Sequence, residues 1–223
     1  MQQNDMSEKT NSYIMKLFLI LLIYMTLNLI LQSCLAYFTG SNEQTLLSRA
    51  NEIFTALFSI VFIKFIPTYQ HHFGLAVPKE KIKSEILLCC LSAFLVIGCF
   101  YLIRLIYGHF NPDVAARPWF GLYLGIHMRY TYLPSALVQE WLAKAVLQHS
   151  IEKILPEDKW YIAIIIMMCS FSIIHTPVGL YYQLGSIVVA AITGIIYHYR
   201  KNIYVCTIIH FLIGFMPRVV GLK

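Results

Sequence analysis

Residues 86–106 read ILLCCLSAFLVIGCFYLIRLI: 21 positions with one charge, Arg104. A helix of a soluble protein keeps a polar face every 3.6 residues. This stretch keeps none, and it is long enough to cross a bilayer core, which takes about 20 residues. The rest of the chain agrees. Of 223 residues, 58% are hydrophobic and only 13% charged, roughly half the charged share of an ordinary soluble domain. The mean hydropathy is +0.65. So little polar surface excludes a water-soluble globule, a disordered chain and a nucleic-acid-binding domain. The net charge of +6 is then read as Lys and Arg in cytoplasmic loops.

The expected fold is all-α: a polytopic transmembrane bundle of about seven spans in one membrane domain. The spans fall near Leu17–Ala36, Ile53–Ile66, Ile86–Ile106, Tyr132–Leu147, Trp160–Ile174, Leu184–Tyr199 and Ile203–Val220. Residues 1–130 hold the N-terminal helices and a basic loop with Lys79, Lys81 and Lys83, and residues 131–223 form a core. Trp119–Met128 is apolar but too short to count as a span. The N-terminal apolar run reads as a first transmembrane helix and not a removed signal peptide. Ten of the 17 Lys and Arg then fall inside and six outside, which places the N-terminus inside. The six cysteines lie in apolar stretches without C-x-x-C spacing, and read as buried small hydrophobes. Ser186, Ala190 and Gly194 form a small-residue stripe for close helix packing.

Eleven acids are present, and all but Glu140 lie in loops or near span ends. A carboxylate in hydrocarbon costs roughly 2.5–3.5 kcal/mol on insertion scales, so Glu140 needs a polar cavity and a partner. Lys144, four residues on, shares its helix face. His210 is also mid-span, and His175 ends a span. Two histidines on separate spans with an embedded Glu can hold a water and polarise a carbonyl. There is no H-E-x-x-H, no mid-span aspartate and no rhomboid-like serine motif, which removes three other kinds of intramembrane hydrolase.

Three motifs in order resemble the CPBP intramembrane proteases, or ABI family, which includes the type II CAAX prenyl endopeptidases and bacteriocin self-immunity proteins. The family's E-E-x-x-x-R reads Gln139-Glu140-Trp141-Leu142-Ala143-Lys144. Its F-x-x-x-H is Phe171-Ser172-Ile173-Ile174-His175. Its H-x-x-x-N/D is His210-Phe211-Leu212-Ile213-Gly214. The Phe73-Gly74-Leu75 turn before the basic loop is also similar to the family. The resemblance implies a glutamic-type endopeptidase: a carboxylate, helped by the second-motif His, activates water, and the third-motif His and Asn stabilise the oxyanion. Glu140, His175 and His210 are the implied catalytic residues. Zinc is an older alternative that two His and one Glu could serve, but no feature of the sequence requires a cofactor. The implied partners are membrane lipid and a membrane-associated peptide or protein, in a bacterial cytoplasmic membrane.

Three positions depart from the motifs. Gln139 stands where the usual base is a Glu, and an amide is a poor proton acceptor. Lys144 keeps the charge of the family Arg without its bidentate fork. Gly214 has no side chain where Asn or Asp is usual. A peptidase therefore stands beside a second reading, a catalytically impaired relative acting as a bacteriocin self-immunity or regulatory binding protein. A transporter with Glu140 in an ion path is a third. The peptidase reading expects Glu140, His175, His210 and Gln139 to line one cavity.

Overall fold

The computed structural model describes residues 12, 16, 19, 20, 22–34, 37, 50, 53–55, 57, 58, 74, 75, 77–121, 130–153, 155–176 and 179–222. Most of the second span, most of the segment Trp119–Met128 and the polar N-terminus lie outside these residues. The described residues are helical, without a strand, and pack as an all-α bundle.

Helix α1 covers Leu22–Cys34. Helix α2, Ile82–Phe110, is about 43 Å long at 1.5 Å per residue, longer than a bilayer core of about 30 Å. Its start lies four residues before the apolar run, where Glu85 is buried. Arg200 donates to Glu85 Oε1 at 2.6 Å and Asn202 donates to Oε2 at 3.0 Å. Elsewhere α2 turns Ile86, Leu87, Leu91, Phe94 and Leu95 outward. Such a surface suits lipid and not water. Cys34, Cys90, Cys99 and Cys169 are exposed too, and only Cys206 is buried. The expectation of buried cysteines thus fails for most of them, because in hydrocarbon the outer face is as apolar as the core.

Helix α3, Pro112–Ala116, is capped by Asn111, whose Oδ1 accepts from Asp113 N and Val114 N. A longer helix follows in three parts: α4 (Tyr132–Glu140), a π-helical segment (Trp141–Gln148) and α5 (His149–Glu152). It runs past the expected end at Leu147. Helix α6 is Trp160–Ile174, with the ends the apolar pattern gave. Helices α7, Leu180–Arg200, and α8, Ile203–Val219, are joined by a tight turn with Lys201 in the left-handed region. Helix α7 starts four residues earlier than the hydropathy suggests. Backbone groups in a bilayer must bond internally, so helices outrun their apolar stretches.

Helix α8 is the central element, packing on α2, α4 and α7, while α6 packs on α7 and the π segment. The small-residue stripe serves this contact. A Cβ on Gly194 would come within 3.0 Å of Met167 and 3.1 Å of Ile164. Gly74 docks beside the α7–α8 turn with φ +68°, where a Cβ would press on Ile203 at 2.9 Å.

The one charge of the 86–106 stretch has a role that its sequence position does not show. Arg104, only 2% exposed, lies inside α2. It donates to the carbonyls of Pro118, Val220, Val114 and Arg117, and its guanidinium stands 4.8 Å from the Trp119 ring centroid. It ties the 112–121 connection to the end of α8. Replacing Arg104 with Lys removes the planar fork that reaches several carbonyls at once. We expect a loss of about 1–3 kcal/mol, read as a lower midpoint of thermal unfolding in detergent, with a conservative surface change such as Lys83→Arg as the unaffected control.

Candidate active site

The site is built where α4, α6 and α8 meet. Glu140 ends α4 and is fully buried; its Oε1 is 2.9 Å from Nδ1 of His210, itself 7% exposed. A carboxylate only accepts, so the ring nitrogen carries the hydrogen. Lys144, also fully buried, stands 3.9 Å from Glu140 Oε2. That is a charge contact and not a hydrogen bond. Its ammonium is nearer Met167 Sδ at 3.0 Å and the Ala190 carbonyl at 3.2 Å. Lys144 therefore joins the first motif to α6 and α7 at once.

His175 caps the end of α6, with Nδ1 2.7 Å from the Phe171 carbonyl. The carbonyl accepts, so this ring too carries its hydrogen on Nδ1 and presents Nε2 as an acceptor. Phe171 is the shared wall. Its ring centroid lies 4.6 Å from that of His175 and 5.7 Å from that of His210, edge-on to the latter at 82°. Lys144 Nζ is 5.9 Å from its centre.

The structure brings Glu140, His210, Lys144 and Phe171 together, with His175 against the Phe171 ring. Gln139 is placed elsewhere. Adjacent helical residues point about 100° apart, and Gln139 donates to Ser135 Oγ at 3.2 Å. It lines a cavity of about 70 Å³ with Tyr24, Thr55, Phe58, Ser170 and Phe171. That lining includes none of Glu140, His175 and His210, so Gln139 does not share it with them as expected. Gly214 is one turn after His210. A Cβ there would overlap the Tyr132 hydroxyl, so the missing side chain is matched by a tyrosine from α4. No signal in the sequence points to Tyr132, because the pairing is between helices far apart in the chain.

Both rings engage Nδ1, His210 with Glu140 Oε1 and His175 with the Phe171 carbonyl, which leaves Nε2 of each for other contacts. Among the described residues no three His, Cys, Asp or Glu side chains are grouped to hold a metal ion.

Phe171→Ala should remove the ring that touches both histidines and lines the Gln139 cavity. Truncating a buried Phe costs about 3–5 kcal/mol. The expected result is a lower unfolding midpoint than in Phe171→Leu, which keeps most of the volume. Equal midpoints for the two variants would show that the wall contributes little.

Residues 121–216 match the family described as type II CAAX prenyl endopeptidase Rce1-like. No curated protein and no solved structure is similar enough to the chain to match it. The matched stretch contains all three motifs and the Glu140–His210 contact. That family is membrane-embedded, in keeping with the long apolar helices Lys79–Phe110 and Leu180–Arg200. Through residues 121–216, which carry its whole candidate site, the chain is similar to the Rce1-like family of type II CAAX prenyl endopeptidases.

Proposed function

We propose that the chain is an active intramembrane endopeptidase that hydrolyses peptide bonds in membrane-associated peptides or proteins. We place it as a multi-pass protein of a bacterial cytoplasmic membrane with its N-terminus inside. The observation that carries this reading is the buried hydrogen bond from His210 Nδ1 to Glu140 Oε1.

In this mechanism Glu140 acts through His210. A carboxylate behind an imidazole fixes its tautomer and orientation, and stabilises the positive ring when Nε2 also holds a proton. His210 then donates from Nε2 to the oxyanion of the tetrahedral intermediate. His175, with Nδ1–H spent on the Phe171 carbonyl, uses Nε2 to take a proton from the attacking water. The water oxygen bonds to the carbonyl carbon. The C–N bond then breaks, and His175 returns the proton to the leaving nitrogen. Glu140 is a positioning residue here because it is enclosed and its Oε1 is already engaged. Lys144 stands 3.9 Å from the other carboxylate oxygen.

Gln139 favours keeping the second reading in view. With an amide where the family base usually stands, the same fold would bind a membrane peptide without cutting it, as an immunity or regulatory protein does. Purified chain in bilayers, given membrane-tethered peptides and read by mass spectrometry, separates the two. We expect cleavage, reduced about 10²–10⁴-fold in His175→Ala and in Glu140→Gln, with peptide affinity changed little. Wild-type protein that binds the peptides and cuts none, with binding unaltered in both variants, would establish the binding protein instead.

A further inference from the structure

We propose that the Tyr132 hydroxyl supplies the oxyanion donor that Gly214 lacks; this rests on the peptidase reading above. The two positions are exclusive in space. A Cβ built on Gly214 would overlap Tyr132 Oη and come within 2.5 Å of Cζ and 2.9 Å of Cε1. Any side chain at 214 would need the volume that the phenol now fills. The phenol is also held in place. Its ring meets His210 edge-on, with centroids 6.2 Å apart at 84°, and packs against Phe211 at 5.7 Å. It comes from the first residue of α4, the helix that ends in Glu140. The same pair of helices thus provides both contacts to the third motif: Glu140 to His210, and Tyr132 to Gly214.

The chemistry is conserved in kind. A phenol O–H is a donor, as an Asn amide is, and Tyr side chains serve among the donors of oxyanion sites. His210 Nε2–H and Tyr132 Oη–H would then stabilise one developing charge from adjacent positions on α8 and α4. Gly214 is the residue that admits the tyrosine.

Two variants test this. Tyr132→Phe keeps the ring and its packing and removes only the hydroxyl. We expect kcat to fall about 10²-fold with KM nearly unchanged. The exchange variant Tyr132→Ala/Gly214→Asn should cleave faster than Tyr132→Ala alone, because the amide re-enters the space the phenol leaves. Gly214→Asn alone should fold poorly against the intact tyrosine. A second readout does not need turnover. A membrane-tethered peptide phosphonate, which mimics the tetrahedral intermediate, should bind the wild-type chain more tightly than the corresponding uncut peptide. Tyr132→Phe should lose most of that preference. If wild-type protein cleaves and Tyr132→Phe matches it in kcat and in phosphonate preference, the tyrosine proposal is wrong while the peptidase stands. If wild-type protein neither cleaves nor prefers the phosphonate, the peptidase reading falls and this inference with it.

Discussion

A carboxylate buried in hydrocarbon has to be paired, and much of this bundle follows from pairing Glu140. Left alone it would cost several kcal/mol. His210 satisfies one oxygen and Lys144 balances the charge. The first contact requires α4 and α8 to be neighbours. The second brings a buried ammonium that needs partners of its own, and it finds them in Met167 on α6 and the Ala190 carbonyl on α7. One acid thus fixes the relative placement of four helical elements. The remaining contacts let that arrangement close: Gly194 and Ala190 allow α7 to approach α6 and the π segment without a side chain between them.

Phe171 touches both groups: its ring is near His210, His175 and Lys144, and it also lines the cavity that holds Gln139. The two adjacent residues of the first motif have different partners, Ser135 for Gln139 and His210 for Glu140. A π-helical segment begins immediately after them. Such segments often occur at functional sites, because their i→i+5 bonding shifts the side chains that follow. Here it carries Lys144 to 3.9 Å from Glu140 while directing its head toward α6 and α7.

The sequence made the class of fold plain, because apolar runs of span length leave few alternatives. Helix α6 was legible to the residue, since Pro156 and charged residues stop the apolar pattern on one side and Pro177 on the other. Helices α2 and α7 were read too short. Hydropathy marks where lipid begins, whereas the backbone stays helical until its groups reach polar partners, as Glu85 does with Arg200 and Asn202. Glu140 stood out because charge is so scarce. Arg104 did not, because its acceptors are carbonyls from a loop and from the end of α8, which no spacing rule connects to it. The direction of Gln139 and the fit of Tyr132 against Gly214 were equally hidden. Both depend on which helix lies opposite, and local sequence does not encode that.

The three altered motif positions now differ in what each implies. Lys144 gives up the guanidinium fork but keeps a buried positive charge, and its single head still reaches a sulfur, a carbonyl and the neighbourhood of the carboxylate. At 214 a side chain is missing, yet its volume is taken by a tyrosine hydroxyl, so a hydrogen-bonding group stands there still. Both are exchanges within a packed site. At 139 the change is of another kind. An amide replaces a carboxylate, lines a mainly apolar cavity and bonds to Ser135, and among the described residues no acid lines that cavity. Glu140 does not take over the role, because it is enclosed and bound to His210. In the proposed peptidase the base is therefore an imidazole, and His175 is the ring with Nδ1 held by a backbone carbonyl and Nε2 left to accept.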